Sequence, residues 1–76
     1  MILKHESLFY KDGKSDKVYN IQLVSDGSVF TVDFQFGRAG SELQTGRKIE
    51  TGNAAEAEKA YLKVLKEKTA KGYREA

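Results

Sequence analysis

Phe36 and Arg38 stand two residues apart in the segment VFTVDFQFGRAG, with Gly37 between them and Gly40 two residues further on. An aromatic face beside a guanidinium suits something flat and anionic. The ring can stack on a base or sugar, and the forked cation can take two phosphate oxygens at once. The glycines let the backbone turn and let a partner come close. Lys14 and Lys17 before this point, and Arg47 and Lys48 after it, are candidates for a basic rim around it. Three or four phosphate contacts there would give a log K versus log salt slope of about −3. Each residue also has a plainer role. Phe36 shares parity with Phe30, Val32 and Phe34 and fits the end of a core strand. Arg38 suits an internal pair with Asp33 or Glu42, or the C-terminus of a helix. The rim cations suit ordinary surface.

Other chemistry finds few residues to work with. The 76 residues contain no cysteine and one histidine, His5, which removes thiolate ligation and any histidine-pair site. His5 fits a strand surface, and no metal or cofactor is expected. The serines have no histidine at motif spacing, and the acids are spread over loops and one helix face, so no nucleophile–base pair assembles. GRAG is too short for a dinucleotide fingerprint and precedes a strand. An enzyme is not expected. The net charge of +2 does not by itself mark a nucleic-acid binder, which leaves local clustering of charge to decide.

The elements that must position the corner follow from periodicity. Ile2–Tyr10 reads as a first strand, with Ile2, Leu8 and Tyr10 on one face and Leu3 and Phe9 on the other. Lys11–Lys17 is a polar, glycine-containing loop. Val18–Val24 is a second strand carrying Tyr19, Ile21 and Leu23 on one face, and Val29–Phe36 is the third. Asp26-Gly27 between them is a hairpin signal. With those two residues as the loop, Leu23 faces Phe30, Ile21 faces Val32, Tyr19 faces Phe34, and Lys17 faces Phe36. Leu43–Glu50 is a fourth strand, interrupted by Gly46, with Arg47 and Lys48 near a bend.

Asn53 caps a helix running to about Lys71, with Glu56 placed to reach back and complete a capping box. Ala57, Tyr61, Val64, Leu65 and Lys68 form its sheet-facing stripe. Tyr73, after Gly72, is placed to pack back on the sheet or to reach a ligand. The lysines at 59, 63, 66 and 71, interleaved with Glu56, Glu58 and Glu67, read as a solvated face. The expectation is one α+β domain over residues 1–76: an antiparallel β-sheet of about four strands with one long C-terminal helix packed on one face. No signal peptide or membrane-spanning run is present, so an intracellular, cytoplasmic location is expected, with a monomer as the default.

With strand, DG hairpin, FGRAG corner, strand and helix in that order, the chain resembles the WGR domain family. The resemblance rests on Phe36-Gly37-Arg38, on KVYNIQL (residues 17–23) before the hairpin, on Gly40, and on Ala57, Tyr61, Glu67-Lys68-Thr69 and Tyr73. It extends from about Leu8 to Tyr73. WGR modules accompany the catalytic parts of DNA-dependent poly(ADP-ribose) polymerases and also occur in bacterial proteins. They are not catalytic; in the polymerases they bind DNA near a break and relay that binding to neighbouring domains.

The resemblance implies that Phe36 is the stacking aromatic, Arg38 the phosphate-binding arginine, Arg47 the basic residue of the next strand, and Tyr73 the aromatic beyond the helix. Phe36 stands where the family has tryptophan, keeping a stacking face but losing area and the indole N–H. Asp16 stands where asparagine is common. The function implied is non-catalytic binding of DNA ends, nicks or breaks through Phe36, Gly37, Arg38, Arg47, Lys48, Lys17, Lys14 and Tyr73. The alternative from another class is a protein-interaction or regulatory module that uses the same corner without nucleic acid.

Overall fold

The computed structural model describes residues 1–75. Its element order is β1 (Ile2–Asp12), β2 (Ser15–Asp26), β3 (Val29–Arg38), β4 (Gln44–Thr51), α1 (Ala54–Ala70) and β5 (Arg74–Glu75). All strand pairings are antiparallel, in the order β4-β3-β2-β1-β5. The helix packs on one face. This is the expected α+β architecture with a short fifth strand added after the helix.

The core is what alternation and helical spacing require. Leu8, Tyr19, Ile21, Leu23 and Val32 from the sheet are buried against Ala57, Tyr61 and Val64 from the helix, with Phe30, Phe34, Ile49, Leu65 and Tyr73 packed around them. Leu8 is the residue of β1 that reaches this core, and Leu3 and Phe9 stay exposed. A bulge between Ile2 and Lys4 breaks the alternation that would have carried Ile2 to the same face.

The β2–β3 hairpin corrects the expected register. Asp26 pairs with Val29, so the loop is Gly27-Ser28. Gly27 has φ +69 and no described non-glycine residue has positive φ, the pattern of a type II′ turn, which asks for glycine at its first central position. Asp26 is thereby released to end the strand. Leu23 faces Val32, Ile21 faces Phe34, Tyr19 faces Phe36, and Lys17 faces Arg38. Each partner has moved by two residues, one full strand period, so every apolar side chain keeps its face.

The first hairpin is also tighter than expected. Asp12 pairs with Ser15, leaving only Gly13-Lys14 as the loop. In β4, Gly46 does not interrupt pairing; the irregularity is a bulge at Lys48, since Val32 faces Ile49 while Asp33 faces Arg47. Gly46 instead lies under the Phe34 ring, where an added Cβ would stand 2.5 Å from Phe34 Cζ.

The helix ends are well made. Asn53 Oδ1 accepts the Glu56 N–H at 3.1 Å, the expected cap. The reciprocal bond expected from Glu56 is replaced, because the Asn53 N–H donates to Thr51 Oγ1 at 3.1 Å. At the other end the Tyr73 N–H donates to the Lys68 carbonyl and the Gly72 N–H to that of Thr69, both at 3.1 Å, a Schellman motif with Gly72 at φ +105. That reversal swings Tyr73 onto the sheet.

Candidate nucleic-acid interface

The Schellman turn delivers Tyr73 into a row of rings. Tyr73 lies 5.6 Å from Tyr10 and 6.3 Å from Tyr19, centroid to centroid. Tyr19 in turn stacks on Phe34 at 5.6 Å and on Phe36 at 6.4 Å, and Phe34 meets Phe36 at 5.8 Å. Phe36 is the outer end of this row and is 38% exposed, while Tyr19 at its middle is buried. The ring therefore has a packed edge and an open one. Packing fixes its orientation, and the open part is available to a second flat surface.

Two residues further along each strand, Lys17 and Arg38 are cross-strand partners and both exposed. Among the described residues Arg38 makes no salt bridge and no side-chain hydrogen bond. Neither Asp33 nor Glu42 holds it. Its backbone is fixed all the same. The Ala39 N–H donates to the Asp16 carbonyl at 2.8 Å, extending the ladder past the strand end. The Ser41 N–H donates to the Arg38 carbonyl at 3.1 Å across Ala39 and Gly40, with Gly40 at φ +82 as a type II turn requires. Gly37 admits Leu43, whose Cδ2 would lie 3.1 Å from a Cβ placed there.

Strand alternation sends the Asp16 side chain to the face opposite Lys17, Tyr19 and Arg38. Its carboxylate is thus directed away from the Arg38 guanidinium. Lys14 sits at the tip of the first hairpin, at the same end of the sheet as Arg38.

Arg47 is not gathered into this corner. It lies on the face the helix leaves open, in a shallow groove of about 630 Å³ lined by His5, Ser7, Asn20, Gln22, Asp33 and Arg47 among others. Its Nε donates to Asp33 Oδ1 at 2.9 Å, and Nη1 is 3.5 Å from Glu50. The Asp33 hydrogen bond and charge, with Glu50 beyond, raise its pKa above the ordinary arginine value. The rim expected from Lys14, Lys17, Arg47 and Lys48 is therefore divided between two faces. The cause is the Asp33–Arg47 pairing across β3 and β4, which puts acid and base side by side on the open face.

Lys68 is the cation that sequence reasoning left out of the site. Its Nζ lies 4.6 Å from the centroid of Tyr19 and 5.7 Å from that of Tyr73, on the helix side of the aromatic row. Burial, then the charges of Lys71 and Lys48, lower its pKa from the ordinary lysine value. Lys71 and Lys48 are thus each close enough to Lys68 for their charge to act on it. The signal was in the spacing. Lys68 follows Tyr61 by seven residues and Val64 by four, so it belongs to the stripe that meets the sheet.

Assembled, the corner offers one half-open ring, one arginine without an acid, Lys17 beside it and Lys68 over the stack. Among the described residues, no group of three or more His, Cys, Asp or Glu is placed to hold a metal ion, and no helix is long and apolar enough to cross a membrane.

Comparison with known proteins agrees with this architecture. A crystal structure of a protein from Bacteroides fragilis superposes with a TM-score of 0.77 at 36% sequence identity, covering 96% of this chain. The matched part is 19% of that longer chain. No curated protein matches. The model of the WGR domain, a family of nucleic-acid-binding, non-catalytic modules, matches residues 7–76, and the chain belongs to the WGR family.

Proposed function

We propose that this chain is a non-catalytic module that binds DNA at ends, nicks or breaks through the Phe36–Arg38 corner. The observation that carries the reading is the state of those two side chains. Phe36 ends a packed aromatic row with 38% of its surface open, and Arg38 beside it has no acidic partner among the described residues. A stacked duplex interior offers no free base face, whereas a terminus or nick exposes a base or sugar. Phe36 stacks there, while Lys17 and Arg38 hold the adjoining phosphates. Lys68, Lys48 and Lys71 add positive potential without reading sequence. Recognition of DNA structure rather than sequence follows.

The exposed large apolar residues also favour nucleic acid over an apolar protein contact. Among the described residues Phe36 is the one at this corner; Met1, Ile2 and Leu3 lie at the far end of β1, and Phe9 and Leu62 stand elsewhere. The test is a titration of labelled nicked, blunt-ended and uninterrupted circular duplexes at two salt concentrations, with Arg38→Ala alongside. Tighter binding of nicked and blunt DNA, a slope near −3, and loss with Arg38→Ala support the reading. Equal affinity for all three duplexes, or none for any, overturns it. Capture of a protein in a manner dependent on Phe36, with no DNA binding, would assign the corner to a protein partner.

A further inference from the structure

The helix covers one face of the sheet, and the other face is a polar floor. Strand alternation puts Asn20 and Gln22 of β2, Asp33 and Gln35 of β3, and Thr45 and Arg47 of β4 on that floor. Tyr19, Ile21 and Val32, which alternate with them, are buried on the helix side. Pairing sets the six in two rows across three strands. Gln22 is opposite Asp33 and Asp33 opposite Arg47; Asn20 is opposite Gln35 and Gln35 opposite Thr45. All six line the groove of about 630 Å³, a size within the roughly 300–1,000 Å³ of small-molecule sites. Neighbours in a row stand about 4.8 Å apart, and the rows are about 7 Å from each other.

The chemistry of these side chains narrows what fits there. Among the described residues, the side chains of Asn20, Gln22, Gln35 and Thr45 hydrogen-bond to no other residue. Each amide offers two donors and an acceptor, and the threonine hydroxyl both gives and takes. Asp33 spends Oδ1 on Arg47, which leaves Oδ2 to accept. The charges nearly cancel, since Asp33 holds Arg47 at 2.9 Å and Glu50 lies 3.5 Å from it. An anion would meet two carboxylates here, and a cation the guanidinium. The floor therefore suits an uncharged ligand whose groups both donate and accept. A nucleobase carries its polar groups along one edge, in one plane, and serves a single row. A sugar carries hydroxyls around its whole rim and reaches both rows. Phe9 and Val18, paired one strand period beyond the Asn20 row, add an apolar flank, with Phe9 40% exposed.

We propose that the open face of the sheet binds a neutral saccharide, with the hydroxyls of one sugar unit bridging the two rows and the C–H face of the next unit against Phe9. The Asp33–Arg47 pair takes two neighbouring hydroxyls, one donating to Asp33 Oδ2 and the other accepting from the guanidinium. The amides of Asn20, Gln22 and Gln35 donate to and accept from the rest. This site stands back to back with the Phe36–Arg38 corner and has the opposite electrical character. The corner sets Lys17 beside Arg38 on the helix side, whereas the floor pairs its arginine with acids. Occupation of one face leaves the other open.

The experiment is an NMR titration of the whole isotope-labelled chain with maltose, lactose and N,N′-diacetylchitobiose in turn, and with glucose 6-phosphate and cytidine as charged and planar comparisons. At least one disaccharide shifts the side-chain NH2 signals of Asn20, Gln22 and Gln35 and the Arg47 Nε–H together and saturably, with a Kd of about 1 mM or tighter. For that sugar Gln22→Ala and Gln35→Ala each weaken binding roughly three- to tenfold, while their backbone spectra show the fold intact. Glucose 6-phosphate and cytidine bind about tenfold or more weakly. No saturable shift at these side chains with any of the three disaccharides overturns the proposal. So does equal binding of either comparison ligand, or a sugar affinity unchanged in both variants. Arg38→Ala leaves the sugar titration as it is, so these outcomes stand or fall apart from the function of the corner.

Discussion

Arg47 donates from Nε to Asp33 at 2.9 Å on the open face of the sheet, whereas on the other face Arg38 makes no such bond among the described residues. The contrast separates two arginines that composition treats alike. Arg38→Ala is expected to weaken binding of a nicked duplex about tenfold and to reduce the salt slope by about 0.9, the signature of one lost phosphate contact. Arg47→Ala is expected to leave the slope unchanged. Its stability cost is expected to be small, because the pair it breaks is exposed to solvent. A fluorescence titration of both variants at two salt concentrations reads the difference. Equal loss in both would mean that the Asp33 pair opens on binding.

How much of this was legible in the chain itself depends on the range of the forces involved. The strands, the helix, its cap at Asn53 and the buried stripe Ala57, Tyr61, Val64 follow from period and local chemistry, and the structure has them. The corner at Gly37-Arg38 was legible for the same reason. The position of the hairpin loop was not, because Asp26-Gly27 and Gly27-Ser28 both satisfy a two-residue turn. They differ only in which residue takes positive φ. Arg47 reads as a rim residue because it is a cation of the strand that follows the corner, the place the family resemblance also gives it. What decides its place is Asp33, fourteen residues away and adjacent only across the ladder. The cation over Tyr19 was hidden differently. Lys68 reads as the polar end of an apolar stripe until the Schellman turn brings Tyr73 beside it.

Phe36 should matter more to binding than to folding. Its neighbours Tyr19 and Phe34 keep their own 5.6 Å stack when it is removed. Phe36→Ala is expected to cost about 0.5–1.5 kcal/mol of stability through lost aromatic contact. In end-binding affinity it should cost about 1–3 kcal/mol, roughly 5- to 150-fold. Phe36→Trp adds ring area and an indole N–H at the open edge and should tighten end binding without altering affinity for uninterrupted duplex. Chemical denaturation beside the duplex titration separates the two effects. A Trp variant that tightens binding to every duplex alike would show that the ring does not contact the break.

Alkaline pH should unfold the domain through its tyrosines. Burial, then Glu67 and Tyr73, raises the Tyr19 pKa from the ordinary 10.0, and burial, then Glu6 and Glu75, raises that of Tyr61. The folded chain holds those protons more tightly than the unfolded one. Their contribution to stability is therefore complete below pH 10 and is lost as pH rises from there through the raised folded values. Lys68 acts in the opposite sense. Its folded pKa is lowered from 10.5, so the folded state sheds that proton first and gains stability until pH passes 10.5. The pKa of Tyr10, hydrogen-bonded to Asp12, is raised as well, so three tyrosines oppose one lysine. A denaturation series should show stability nearly level up to about pH 10 and falling above it. Phenolate absorbance should rise with unfolding, and Tyr19→Phe should reduce the fall.

Three glycines allow backbone and contact effects to be told apart. Gly13 has φ +59 and nothing within 4 Å of a placed Cβ, so Gly13→Ala meets only the backbone cost, about 1–2 kcal/mol. Gly72 has φ +105, and its placed Cβ stands 2.9 Å from Tyr10 Cε2. Gly72→Ala adds displacement of a ring that packs on Tyr73, and the total is expected to exceed that of Gly13→Ala by about 1 kcal/mol. Gly46 has no positive φ, yet its placed Cβ stands 2.5 Å from Phe34 Cζ. The ring has little room to move, because Tyr19 and Phe36 both stack on it. Overpacking there is expected to cost about 1–3 kcal/mol. For a domain of this size each kcal/mol lowers Tm by about 4–8 °C. The glycine at 72 also positions Tyr73, and through it the seat of Lys68, so Gly72→Ala should weaken duplex binding while Gly13→Ala leaves it unchanged. Thermal unfolding and a duplex titration of the three variants check both statements, and equal Tm losses for Gly13→Ala and Gly72→Ala would mean that Tyr10 yields without cost.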